Sequence, residues 1–171
     1  MKDILDLFKS KDPHYLSQYH ALIDRYATIQ GGSEEYKKDT GKVFDSTYRF
    51  YMYAAFLGMR KDYRVPFSEG APSKNFWAIK NWKPTDMVDF LFMALLEKID
   101  IDLYALEQMT EDEVKQQITD LKIALEEYAN GGFDIISSKI KSDQFFFDSD
   151  YAFVDYLEAV SSESKKQDII F

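Results

Sequence analysis

An all-α fold, arranged as a compact single-domain helical bundle, is what this sequence predicts, and three observations predict it. Apolar residues recur at helical spacing in several separate stretches. No stretch sustains the alternation of a strand, and neither a self-similar repeat nor a persistent heptad pattern is present. The 171 residues, 46% of them hydrophobic, suffice for one buried core without a disulfide or a metal.

Asp12 before Pro13 supplies an N-cap acceptor followed by a ring that fits the first helical turn. Tyr15, Leu16, Tyr19, Leu22, Ile23 and Tyr26 follow at helical spacing, which predicts a helix over 13–29. Gly31-Gly32 stops it, and Ser33 to Lys42 reads as a polar loop. Asp45 or Ser46 caps a second helix with a broad apolar face, Tyr48, Tyr51, Met52, Ala55, Phe56 and Met59, ending near 58–60.

From Lys61 to Pro84, three prolines (Pro66, Pro72, Pro84) and Gly70 break any period, so a long structured loop separates the second and third main helices. A short strand near 76–79 fits within it. Thr85 opens a helix, Met87 to Lys98, that is apolar on most of its surface and therefore predicted to be central. A short helix over 103–109 follows. Thr110-Glu111-Asp112-Glu113 is a capping box, and Val114, Ile118, Leu121, Leu125 and Tyr128 continue its helix until Gly131, predicted to end it. Further helices are predicted over 133–142 and 150–160, the latter capped by Asp148 or Ser149. The domain is thus expected to span 1–160, with 161–171 a polar tail tipped by Ile169-Ile170-Phe171.

The charge is unevenly spread. Twenty-one Lys and Arg against 30 Asp and Glu give a net −9, but residues 1–84 carry 14 basic and 10 acidic groups (+4) and the remainder 7 and 20 (−13). Residues 37–83 hold ten basic against four acidic residues, interleaved with Phe67, Phe76, Trp77 and Trp82. Such a stretch can follow a phosphate backbone and stack on bases, dock onto a protein, or anchor the loop with its aromatics while lysines solvate the outside. Arg60, Lys61, Arg64, Trp77, Lys80, Trp82 and Lys83 are the candidate contacts to a partner or nucleic acid. In the acidic half, Glu107, Glu111 and Asp112 are the candidate partner contacts. Together with Asp100, Asp102 and Glu113 they could also imitate DNA phosphates, or simply cap helices.

The catalytic inventory is thin. There is no cysteine, which removes thiolate metal sites and cysteine nucleophiles and suits a reducing, cytoplasmic setting. No apolar run approaches the ~20 residues of a membrane span, and Met1-Lys2-Asp3-Ile4-Leu5-Asp6 lacks a signal-peptide core. His14 and His20 lie on one predicted helix, about 240° apart at ~3.6 residues per turn, so they share no face for a metal. Asp100-x-Asp102 and Asp148-x-Asp150 fit helix caps better than a magnesium site. Glu113-Val114-Lys115 opens a helix, unlike the strand-borne carboxylates and lysine of restriction-type nucleases. Gly31-Gly32 and Gly131-Gly132 are not phosphate loops, and no nucleophile elbow exists. No catalytic residue, cofactor or metal is therefore expected, and the chain reads as a binding protein.

Two stretches carry a resemblance. Tyr48 to Arg60, continuing through Arg64-Val65-Pro66-Phe67, and Glu126-Glu127-Tyr128-Ala129-Asn130-Gly131-Gly132-Phe133 resemble segments of small helical proteins associated with bacterial DNA phosphorothioation and neighbouring anti-phage defence loci. Asp102-Leu103 is similar to an intervening Gly-Asp-Leu element, with Ile101 in place of the glycine. The resemblance spans about 45–135 and implies an accessory subunit of a DNA modification, restriction or defence assembly. Together with the thin catalytic inventory and the uneven charge, it leads to the expectation of an adaptor that docks onto a larger ATPase or nuclease subunit through the basic aromatic loop, the acidic C-terminal half, or both. It carries over no catalytic residue. Physically, Gly58 would let two helices approach closely and Pro66 would fix a turn beside Arg60 and Arg64.

Overall fold

Two glycines in the middle of a long helix set the architecture. A computed structural model describes residues 4–28 and 42–167; the predicted Gly31-Gly32 stop, nearly all of the 33–42 loop and the tail's apolar tip lie outside them. In chain order the elements are α1 (Ile4–Lys9), β1 (His14–Leu16), α2 (His20–Tyr26), α3 (Thr47–Arg60), β2 (Ser73–Asn75), α4 (Thr85–Lys98), α5 (Leu103–Gln108), α6 (Glu111–Ser142) and α7 (Ala152–Gln167). Short 3-10 turns occupy Ser17–Tyr19, Ile79–Asn81 and Phe146–Asp148. The fold is predominantly helical, as the sequence predicts, with one two-stranded antiparallel ribbon.

The capping box forms as read: the Glu113 amide donates to Thr110 Oγ1 at 3.4 Å and the Thr110 amide to Glu113 Oε2 at 2.8 Å. Its helix, however, does not end at Gly131. α6 runs 32 residues, or ~48 Å at ~1.5 Å per residue, and absorbs the separate 133–142 helix. The glycines serve packing instead of termination. A Cβ on Gly132 would lie 1.8 Å from the Ala54 carbonyl oxygen, and one on Gly58 would lie 2.0 Å from that of Tyr128. α3 and α6 therefore cross backbone against backbone, running antiparallel, in the most extensive interface of the fold. The close approach expected of Gly58 is present. Phe50 and Phe133 meet across this seam with ring centroids 5.3 Å apart, and Tyr26, Phe147 and Phe153 extend the aromatic core.

The predicted helix over 13–29 is corrected to a strand, a 3-10 turn and a shorter helix. Tyr15, Leu16, Tyr19, Ile23 and Tyr26 are all buried, as their spacing suggests, but the backbone of 14–16 pairs with β2, His14 opposite Asn75 and Leu16 opposite Ser73. Distant partners satisfy its amides, which removes the need for helical ones. The loop strand falls at 73–75, not 76–79.

α4 begins and ends as read but is not central. Val88, Leu91, Phe92, Leu95 and Leu96 face the core while Met87, Phe90 and Met93 face solvent. Asp102 caps α5 by accepting from the Tyr104 amide at 2.8 Å. Before α7, the Asp148 carboxylate pairs with Arg25 at 2.9 Å, and it is the Ser149 carbonyl that accepts from the Ala152 amide. α7 continues past residue 160 to Gln167, so much of the predicted tail is helix. No described helix is long and apolar enough to cross a membrane.

Candidate interaction surfaces

Glu126 and Asn130, one turn apart on α6, are buried polar side chains and so must be satisfied internally. Glu126 Oε1 accepts from the His14 amide at 2.7 Å and pairs with Lys122 at 2.7 Å; the His14 ring lies 3.3 Å away. Asn130 accepts from the Leu16 amide at 3.0 Å and its amide nitrogen donates to the Val65 carbonyl at 3.4 Å. Tyr51 closes the cluster, donating to the His14 carbonyl at 2.9 Å, with burial pushing its phenol far above the ordinary range. Three buried side chains thus grip one extended tripeptide. Beside them the Val65 amide donates to the Glu127 carbonyl, and Gly131 admits the Tyr63 backbone. The segments that carry the resemblance are accordingly the interior seam of the molecule.

His14 and His20 are not on one helix; the latter's Nδ1 sits 3.0 Å from the Tyr15 hydroxyl. Among the described residues no group of three His, Cys, Asp or Glu side chains is arranged to hold a metal ion. Asp134 receives hydrogen bonds from Tyr19 at 3.4 Å and Tyr63 at 3.0 Å, at the edge of a shallow groove of about 550 Å3 shared with Lys61 and Lys139. Burial, with the Asp134 charge adding to it, pushes the Tyr19 phenol up to about 12. The hydrogen bond to Asp134 raises the Tyr63 phenol as well, so both tyrosines act as neutral donors.

The predicted basic aromatic surface divides in two. Arg60 and Arg64 belong to the α6–α7 side: the first donates to Ser161 Oγ at 3.0 Å, and the second pairs with Glu127 at 2.8 Å over the Tyr128 ring. Trp77, Lys80 and Lys83 belong to the loop packed near the start of α3, where Trp82 stacks on Tyr48. Tyr48 and Arg60 lie ~18 Å apart along α3 at ~1.5 Å per residue. Trp82 is removed from the contact set, since it is 1% exposed, stacks on Phe76 at 5.6 Å and donates to the Trp77 carbonyl at 2.9 Å. Trp77 is 59% exposed.

Of the acidic candidates, Asp112 pairs with Lys115 at 3.0 Å, whereas Glu107 and Glu111 border a cavity. The largest surprise is the outer face of α4. Phe90 and Met93 are 63% and 52% exposed, Met87 flanks them, and Phe56 on α3 extends the row, its ring 5.6 Å from that of Phe90. The sequence holds the signal: 87, 90 and 93 repeat every three residues on the side opposite 88, 91 and 95. Hydrophobicity on both sides of a helix reads as burial on both sides, and here only one side is covered.

No curated protein and no solved structure matches the chain. A family model does, over residues 33–170, taking in the seam, the long loop and α4, and by that match the chain belongs to the family of DNA sulphur modification system-associated protein 4.

Proposed function

We propose that this protein is a non-catalytic, cytoplasmic accessory subunit that docks, through the outer face of α4, onto a larger ATPase or nuclease subunit of a DNA sulphur modification system with a role in anti-phage defence. The exposed row Met87, Phe90, Met93, continued by Phe56, is the observation that carries the reading. An apolar row of this kind on a folded helix favours a protein surface that covers it. Membership of a family associated with a DNA modification system supplies the setting.

Co-purification of the tagged chain with the other proteins of its own system tests this. The wild-type chain retains a partner in high salt, because apolar burial is not screened. F90D/M93D loses it while keeping its circular dichroism spectrum. A complex that survives the double substitution removes α4 from the interface, and recovery of the chain alone under every salt condition removes the docking function.

A second reading, direct nucleic-acid contact, draws on the exposure of Trp77 beside Lys74, Lys80 and Lys83. Single-stranded DNA at ~50 mM salt would then quench Trp77 fluorescence and leave the buried Trp82 unaffected. Absence of quenching at that salt eliminates it.

A further inference from the structure

Between α1, α5 and the first turns of α6 lies a cavity of about 460 Å3. Its walls are Leu7, Leu106, Met109 and Val114, and its rim carries Glu107, Glu111 and Lys115. The volume falls within the ~300–1,000 Å3 of ordinary ligand sites, with room for one long side chain and the backbone that presents it.

The charge around it has one sign. Residues 100–114 contain six acidic groups and no basic one. Three of the six are occupied: Asp102 caps α5, Glu113 closes the capping box, and Asp112 holds Lys115 at 3.0 Å. Lys115 is thereby tied to the helix surface, and its hydrogen bond to Asp112, with the Asp112 and Glu111 charges adding to it, keeps the ammonium protonated. The Glu107 and Glu111 carboxylates make no hydrogen bond or ion pair among the described residues. They face solvent at the mouth of an apolar pocket, and the Glu113 amide at the start of α6 is already served by Thr110, so the site favours a cation over an anion.

From this geometry we infer that the cavity is a socket for an arginine side chain presented by the partner protein, its aliphatic stem against Leu7, Leu106, Met109 and Val114 and its guanidinium shared by Glu107 and Glu111. Arginine fits better than lysine. Its planar fork suits two carboxylates, and its weaker hydration lowers the cost of leaving water at an apolar mouth. The inference rests on the docking function proposed above and adds a second, charge-selective contact to the apolar one on α4.

The test is a chemical-shift titration of the full chain with n-butylguanidinium, with neutral n-butylurea as the matched control. The guanidinium shifts the signals of Leu7, Leu106, Met109 and Val114, the urea does not, and E107Q/E111Q weakens guanidinium binding by about tenfold or more. No shifts at these residues, equal shifts with the urea, or full binding by the double variant would each overturn the socket. Capture of system proteins by E107Q/E111Q supplies the second arm: weaker capture supports the partner arginine, and undiminished capture overturns it. Because the probe binds the chain alone, a seated guanidinium with no protein captured by the wild type would refute the docking function and the partner arginine while leaving the cation site standing.

Discussion

The seam between α3 and α6 and the outer face of α4 are both apolar and both helical, yet one is closed to the last ångström and the other lies open. At the seam, Gly58 and Gly132 leave no space for a methyl group, Gly131 leaves none against the Tyr63 backbone, and Ala54, Ala55 and Ala129 are fully buried. On α4, Met87, Phe90 and Met93 are large, flexible or aromatic, and exposed. Small residues mark where this molecule meets itself, and the large exposed ones lie on the face proposed above for docking. The contrast also separates two kinds of similarity. The segments that resemble phosphorothioation-locus proteins lie at the seam that holds the domain together, apart from the exposed face of α4.

Substitutions can break or sharpen this contrast, beginning with the strongest. Trp82→Ala should cost ~3–5 kcal/mol of stability in urea unfolding, as for other buried aromatics, while Trp77→Ala stays within ~0.5 kcal/mol. Equal losses would mean that the loop is not divided into a buried and an open tryptophan. Gly132→Ala should follow at ~3 kcal/mol, because the atoms in its way belong to the Ala54 backbone and cannot rotate aside. A neutral result would show that the helices have room to part.

Asn130→Ala removes the acceptor for the Leu16 amide and a donor to Val65, and a loss of ~1–3 kcal/mol is expected. Hydrogen exchange should then quicken at Leu16, the amide left without its acceptor. A gentler handle is pH. Tyr19 is raised from an ordinary value of 10.0 to about 12, so the folded state favours the neutral phenol. Its contribution is complete below pH ~10 and fades as pH rises toward 12, by linkage. Tyr19→Phe should therefore show a shallower fall in Tm over that alkaline interval than the wild type.

How much of this was legible in the sequence depended on the range of the interaction. Local rules found the capping box at Thr110, the Asp102 cap, the bounds of α3 and α4 and the long loop between them, because the atoms involved lie within a few residues of each other. They failed at residues 14–16, where the His14 and Leu16 amides are satisfied by Glu126 and Asn130 more than a hundred residues away. They failed again at Gly131, where the usual meaning of a glycine after a helical run was overridden by the approach of the Tyr63 backbone, with Ala54 of α3 pressed against Gly132 next to it. The exposed apolar face of α4 was missed for a related reason: hydrophobicity on two sides of α4 does not say which side the fold will cover. Glu107 and Glu111 were singled out by charge, but their cavity needed Leu7, contributed from a helix a hundred residues earlier.

The most direct test of the account is hydrogen-exchange footprinting of the full chain, free and in complex with the other proteins of its sulphur modification system. The account predicts slowed exchange over residues 85–98 on complex formation, with the 54–58 and 128–132 seam, already protected, unchanged. A complex that forms with no added protection in α4, or that opens the seam, would contradict it.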